Sequence, residues 1–250
     1  LPMDMSGTLE VLYSKDINAV FVRNADLTAP ARFLPNDGRP YYGGAGANEL
    51  NGPFDGGIYV IDNTGEGYNY SITAQLRKQF ESGLFASASY TFLEAKSNLK
   101  STEIASVLWA ENPVAGNPNK PDLGFSEFGN RHRLTAVATY RHSWGEMTST
   151  SVGLFFEAAS GNKFAGAGGN RYSFVYSGDV NGDGNGGNDL IYVPKNRNDI
   201  ILVTSTGAAA PAGDYDALET FINQDEYLSS RRGQIAERFG AVNPWFTNID

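Results

Sequence analysis

The segment Tyr70-Ser71-Ile72-Thr73-Ala74-Gln75-Leu76-Arg77-Lys78-Gln79-Phe80 sorts by parity. Tyr70, Ile72, Ala74, Leu76 and Phe80 fall on one face of an extended chain, and Ser71, Thr73, Gln75, Arg77 and Gln79 fall on the other. Side chains of a strand alternate between faces with period two, so the segment reads as a strand with one apolar and one polar side. Lys78 breaks the apolar parity near the end, where its long stem can lie along apolar surface and carry the charge outward. Glu81-Ser82-Gly83 then supplies a tight turn, and the return strand sets Leu84, Ala86, Ala88, Tyr90 and Phe92 against Ser87, Ser89 and Thr91.

Outward from this hairpin the pattern recurs. From Arg131 to Ala158, Leu134, Ala136, Ala138, Tyr140 and Trp144 alternate with Arg133, Thr135, Val137, Thr139, Arg141 and Ser143. Gly145-Glu146 is the turn, and Val152, Leu154 and Phe156 line one face of the next strand. An earlier strand is expected from about Thr8 to Leu27, with Leu9, Val11, Tyr13, Ile17, Ala19 and Phe21 on one parity and Glu10, Ser14, Asp16 and Asn18 on the other. Segments rich in Gly, Pro and Asn lie between: residues 28–57, 98–129 and 160–170. Residues 214–238 read as a short helical segment, with Asp214 or Asp216 as cap and Leu218, Phe221 and Ile222 at helical spacing, and a new strand begins near Thr247.

Tight turns at one end and long loops at the other is the asymmetry of outer-membrane barrels, and a soluble sandwich seldom needs repeated loops of this length. Tyr70, Phe80, Tyr90, Phe92, Tyr140 and Trp144 sit near strand ends, as interface girdles require. Ala74, Ala86, Ala88, Ala136 and Ala138 occupy the middle of the apolar face, where a sandwich core would favour larger side chains. The expected class is all-β: an antiparallel transmembrane β-barrel portion with long extracellular loops, contributing roughly eight or nine strands. The loops from Thr28, Asn98 and Ser160 would lie outside the cell and the Glu81 and Gly145 turns in the periplasm. Alternating strands also build sandwiches and soluble barrels, so a secreted calcium-stabilised β-sandwich acting as an adhesin or binding module is a rival. A structural barrel subunit of an envelope machine is a second.

Composition agrees with strands. With 41% hydrophobic and 19% charged residues the 250-residue chain is not disordered by composition, and 15 Phe, 13 Tyr and 29 Gly against 3 Met suit strands and turns better than a helical bundle. A net charge of -9 without clustered Lys and Arg excludes a nucleic-acid partner. The absence of cysteine removes disulfides, thiolate metal sites and cysteine nucleophiles together, and suits either the cytosol or a cell envelope. No run approaches the roughly 20 apolar residues of a transmembrane helix. The mean hydropathy of -0.33 does not exclude a membrane, because the lumen-facing half of a barrel strand cancels its lipid-facing half. Leu1-Pro2-Met3-Asp4-Met5 is not a signal peptide, and with the abrupt end at Asn248-Ile249-Asp250 it suggests part of a longer polypeptide.

The sharpest chemical motif is Asp179-Val180-Asn181-Gly182-Asp183-Gly184-Asn185, the first half of a calcium loop of the form D-x-[DN]-x-[DN]-G. Asp179, Asn181, Asp183, Asn185 and Asp189 are the candidate Ca²⁺ ligands, since oxygens at alternate positions can converge on a hard cation. The twelfth position is Leu190 where a bidentate Glu is expected, and Asp189 falls one place early, so a polar, Gly-rich loop remains the alternative. His132 and His142 share one strand and one parity but stand ten residues apart, too far for a common metal or base. No GxSxG, HExxH or Walker A pattern occurs, and an enzyme is not expected. Glu10, Gln75, Arg77, Arg133 and Arg141 lie on the polar parity, where in a barrel they would either steer a substrate or hydrogen-bond a plug.

Several segments are familiar together. Gly65-Glu66-Gly67-Tyr68-Asn69-Tyr70-Ser71-Ile72, Ser89-Tyr90-Thr91-Phe92 and Gly129-Asn130-Arg131-His132-Arg133-Leu134 resemble the late barrel of TonB-dependent receptors. Gly178-Asp179-Val180-Asn181-Gly182-Asp183-Gly184 through Asn188-Asp189-Leu190-Ile191-Tyr192-Val193-Pro194, with Tyr227-Leu228, Arg231-Arg232-Gly233 and Asn243-Pro244-Trp245, resemble the Oar-like branch of Bacteroidetes and related bacteria. The resemblance covers nearly the whole chain. It implies a 22-stranded barrel of which residues 1–250 form one part, with a plug, a TonB box and a terminal strand outside this sequence. It also implies outer-membrane lipid, the plug and the TonB complex as partners, and active transport of a bulky ligand as the activity; envelope protein partners would belong to the rival reading of a structural barrel subunit.

Overall fold

The computed structural model describes residues 5–44, 57–99, 104–160, 173–204, 206–242 and 244–250. Leu1 to Asp4, nearly all of the loop expected at 160–170, the end of the loop at 28–57, and Asn243 lie outside the described residues. In chain order the strands are β1 (Met5–Lys15), β2 (Ala19–Asn24), β3 (Arg32–Phe33), β4 (Pro40–Tyr41), β5 (Tyr59–Thr64), β6 (Tyr68–Gln79) and β7 (Leu84–Ser97). Helix α1 (Ala105–Glu111), β8 (Gly124–Phe125), β9 (His132–Ser143), β10 (Ser149–Ala159) and β11 (Tyr192–Val193) follow. The chain ends with α2 (Ala212–Gln224), α3 (Glu226–Ser230), β12 (Gln234–Ile235) and β13 (Phe246–Ile249). The fold is mostly β, 43% strand and 13% helix, with antiparallel sheets.

The main sheet runs β1-β6-β7-β9-β10-β13, with β8 added to the end of β7. Both expected hairpins are present. Ala88 pairs with Leu76 on one side and Ala136 on the other, and Leu154 pairs with Ala138, so the period-two pattern stays in phase from strand to strand. Because registers match, Leu9, Val11, Ile72, Leu76, Leu134, Val152 and Leu154 share one continuous apolar face, and all are exposed. The opposite face is laced by side-chain bonds: Thr73 to Thr91 at 3.0 Å, Ser89 to Thr135 at 2.7 Å and Arg133 to Glu157 at 2.7 Å. Lys78, the exception on the apolar parity, lays its ammonium 4.6 Å from the Phe80 ring centroid.

Two expectations need correcting. Among the described residues the path holds six strands rather than eight or nine, because the described part of 160–245 forms helices, short bridges and turns before β13 returns to the sheet. The strand expected from Thr8 to Leu27 is two strands. Asp16 N–H donates to the Gly67 carbonyl at 3.1 Å, and Gly67 has φ +102° with its missing Cβ site 2.2 Å from an Asp16 carboxylate oxygen. That corner turns the chain out of the sheet, and β2 pairs instead with β5. The main sheet is open, with β1 and β13 as its edges. Among the described residues no helix is long and apolar enough to cross a membrane.

The sheet is nearly without a core. Apart from Ala158 and Ala159 at the end of β10, every buried hydrophobic residue among the described residues lies in the three excursions 16–67, 98–131 and 160–245, which leave the same end of the sheet. Val22, Leu108 and Trp109 form one buried cluster and Val193, Ile222 and Leu228 a second. Helix α1 was not expected. It is two turns long, begins after the extended Ile104 with no side-chain cap, and is held by burial of Leu108 and Trp109.

Candidate functional site

The excursions pack into one body, and polar groups join them. Asn24 N–H donates to Asn119 Oδ1 at 2.7 Å, Asn119 Nδ2 returns a bond to the Asn24 carbonyl at 2.7 Å, and Trp109 Nε1 donates to Asn119 Oδ1 at 2.9 Å. These tie the first excursion to the second. Tyr42 N–H and Gly44 N–H donate to the Asn181 and Gly182 carbonyls at 2.8 Å each, tying the first to the third. The second and third meet through Leu190 N–H to the Val114 carbonyl at 2.9 Å and Asn181 Nδ2 to the Gly116 carbonyl at 3.0 Å.

Among the described residues Arg238 is the largest fully buried side chain. Its guanidinium donates to the Ser97 and Asn98 carbonyls and to Asn112 Oδ1, joining the third excursion to the end of β7 and the second excursion. Burial pulls its pKa down to about 10, still far above neutrality, so it stays charged. The next residue, Phe239, is buried at φ 55°, a left-handed conformation held by its N–H bond to Ser173 Oγ at 2.8 Å.

The expected Ca²⁺ ligands come together in one loop at the centre of this body. Asn181, Asp183 and Asp189 are fully buried. Most of their oxygens are taken by donors within the loop: Asp189 Oδ2 accepts from Val180 and Asn181 N–H at 2.7 and 3.1 Å, and Asp179 accepts from Asp183 and Gly184 N–H at 3.1 and 3.0 Å. Asp183 Oδ1 accepts from Asn185 N–H at 2.8 Å, and Asn181 Oδ1 accepts from Asp183 N–H at 2.9 Å. The free oxygen of Asp189 faces Arg39 Nη1 at 3.5 Å. Ca²⁺ takes about six to eight oxygens, and among the described residues no three His, Cys, Asp or Glu side chains are placed to hold a metal. In this arrangement the alternating Asp and Asn residues make a chain of Asx-type turns closed by the loop's own N–H groups.

The burial has an electrostatic consequence. Asp183 is pushed up to about 6, chiefly by burial and further by the Asp179 and Asp189 charges, against the hydrogen bonds from Asn181 and Asn185. Burial also raises Asp189, although Val180, Asn181 and Arg39 pull it the other way. Tyr42 is pushed up to about 12 by burial and then by the Asp183 charge. Tyr192 reaches about 12 because its hydroxyl donates to Asp199 Oδ2 at 2.6 Å, and Asp199 is lowered by the same bond.

His132 and His142 stand near opposite ends of β9 and do not meet. His132 accepts or donates at 2.7 Å to the Tyr90 hydroxyl and packs on Phe92 and Trp245, while His142 meets Trp144 edge-on at 4.5 Å. Of the polar-face candidates, Arg133 pairs with Glu157, Arg141 donates to Ser149 Oγ at 3.2 Å and Gln75 to Ser87 Oγ at 3.5 Å. Glu10 and Arg77 lie on the same face by register. The joints Asn24, Arg39, Asn119 and Arg238 carry no sequence signal of their own, because the bonds by which each ties one excursion to another reach residues far away in sequence. No family model, curated protein or solved structure matches the chain.

Proposed function

We propose that this chain forms part of the wall and outward loops of a TonB-dependent outer-membrane transporter, and that the joined excursions meet the transported ligand. The observation that carries the reading is the uncovered apolar face. Leu9, Val11, Tyr13, Trp144 and Val152 are each more than 60% exposed on one side of a sheet whose other side is polar. Water disfavours such a face, and a bilayer accepts it. In a sandwich it would be covered by a second sheet, so the secreted sandwich is the weaker account. Strand length agrees, since the 12 residues of β6 at about 3.3 Å each and a tilt of about 45° rise about 28 Å, close to the hydrocarbon thickness of about 30 Å.

The open edges at β1 and β13 are not tolerated in lipid, so the reading requires further strands of the same polypeptide to close a 22-stranded barrel around a plug. Small residues at mid-face and aromatic clusters around His132 and His142 at the strand ends support the same orientation, with turns in the periplasm and excursions outside. The test is the intact mass of the native polypeptide from a detergent extract of outer membranes. A mass several-fold above 27.0 kDa, in the membrane fraction, is expected. Recovery near 27.0 kDa in the soluble fraction would overturn the proposal.

A further inference from the structure

We propose that the loop body binds short zwitterionic peptides with apolar side chains, in two adjoining cavities that share Asn36, Asp37 and Tyr192. The first cavity, about 590 Å³, lies between α2 and residues 191–202 and is walled by Ile191, Ile200, Leu202, Leu218 and Phe221. Ile201 and Phe221 at its edge are 82% and 51% exposed, so the cavity reaches the surface. A concave apolar volume of this size with a few polar groups at one side is the usual form of a small-ligand site.

The second cavity, about 540 Å³, decides the ligand class. Its charged lining consists of Asp37, Asp122, Lys195, Arg231, Glu237 and Arg238. Asp37 is held by Arg39 at 2.7 Å, Glu237 by Lys96 at 3.4 Å and Arg231 at 3.7 Å, and Arg238 spends its guanidinium on buried carbonyls. Lys195 and Asp122 remain, both exposed and without an ion pair within 4.0 Å among the described residues, the Lys195 charge acting from a greater distance on Asp199. The Lys195 stem lies across Gly233, where a Cβ would come within 2.5 Å of it, so the missing side chain at Gly233 gives the stem its place in the cavity wall. One ammonium and one carboxylate without a salt-bridge partner suit the two ends of a zwitterion, and the Gln234 amide on the same lining suits a peptide group. The apolar cavity then takes aliphatic or aromatic side chains. A fatty acid would engage Lys195 alone, and a glycan would leave the apolar walls without a partner.

This inference rests on the transporter reading for its purpose and not for its chemistry. The test is calorimetric titration of the full native polypeptide, in detergent, with tri-leucine, against triglycine and N-acetyl-tri-leucine amide. Saturable binding of tri-leucine is expected, with triglycine and the capped peptide at least tenfold weaker. Lys195→Gln and Asp122→Asn should each weaken tri-leucine about tenfold. Both side chains are exposed, so the body should stay folded, as read from the emission of buried Trp109. No saturable heat with tri-leucine, or equal binding of triglycine or the capped peptide, overturns the proposal. Binding by a protein absent from the outer membrane would sink the transporter reading and keep the site, while membrane residence without binding would do the reverse.

Discussion

Asp183 makes the stability of the loop body depend on pH, in a direction opposite to most carboxylates. Burial raises its pKa from 3.8 to about 6, so the folded body binds a proton more tightly than the unfolded chain does. Its contribution is therefore fully present below about pH 4 and is lost as pH rises through 6. Between pH 5 and pH 7.5 the two pKa values correspond to a loss of about 1.4 kcal/mol, out of a limiting value of about 3 kcal/mol. Asp189 is raised too and acts in the same sense. The assay follows Trp109, which is 2% exposed in the body, after Trp144 and Trp245 are changed to Phe. Urea unfolding of the excursions would be recorded at both pH values for this parent and for Asp183→Asn, which cannot titrate. The parent should lose about 1.4 kcal/mol more than the variant on going from pH 5 to pH 7.5. An equal pH response in the two proteins, or a larger loss in the variant, would refute the electrostatic account. Ca²⁺ added at pH 7.5 tests the same loop: with most of its oxygens closed on N–H groups and Asp189 Oδ1 facing Arg39, no shift of the transition is expected, and a rise would mean that they can turn to a cation.

Three further outcomes follow from named contacts. Ala88→Arg, on the apolar face between Leu76 and Ala136, should destabilise the protein by roughly 2–4 kcal/mol, whereas Ser89→Arg on the polar face should be mild; equal losses in a refolding titration into vesicles would reverse the facing. Arg238→Met removes the guanidinium that donates to the Ser97 carbonyl and Asn112 Oδ1, while the Asn98 carbonyl keeps its bond from Asn112 Nδ2, and should cost about 2–6 kcal/mol in the Trp109 unfolding assay, with the hairpin turns unaffected in hydrogen exchange. Asn119→Ala removes the acceptor of both Asn24 N–H and Trp109 Nε1, and should cost about 1–3 kcal/mol with a red-shifted Trp109 emission even before unfolding.

The two hairpins were legible because each residue of a strand reports its face directly: Tyr70 to Phe92 and His132 to Phe156 carry the pattern with few exceptions, and the registers keep it in phase. The break at Asp16 was not legible, since Lys15 interrupts the apolar parity for one place only, the pattern resumes at Ile17, and the cause, Gly67, lies some 50 residues away. The body's joints were hidden for a related reason. Its centre is built from Asn24, Arg39, Asn112, Asn181 and Arg238, and polar residues that pair across excursions leave no hydrophobic period in the sequence. The Asp179 loop was found by motif, but alternating Asp and Asn suits Asx turns as well as a cation, and spacing alone does not separate the two uses.

The small β2–β5 sheet bears on how the large one assembles. β1 and β6 pair over eleven residues although residues 16–67 separate them, and closing so long a loop is entropically unfavourable. Once Ala19–Asn24 has paired with Tyr59–Thr64, three residues on each side, 16–18 and 65–67, are all that remain to be closed. Shrinking the loop about ninefold lowers the closure cost by about 2 kcal/mol. The first excursion is therefore a zipper pull: β1 would join β6 from Lys15 and Tyr68 downward, with Met5 and Lys78 the last pair to close.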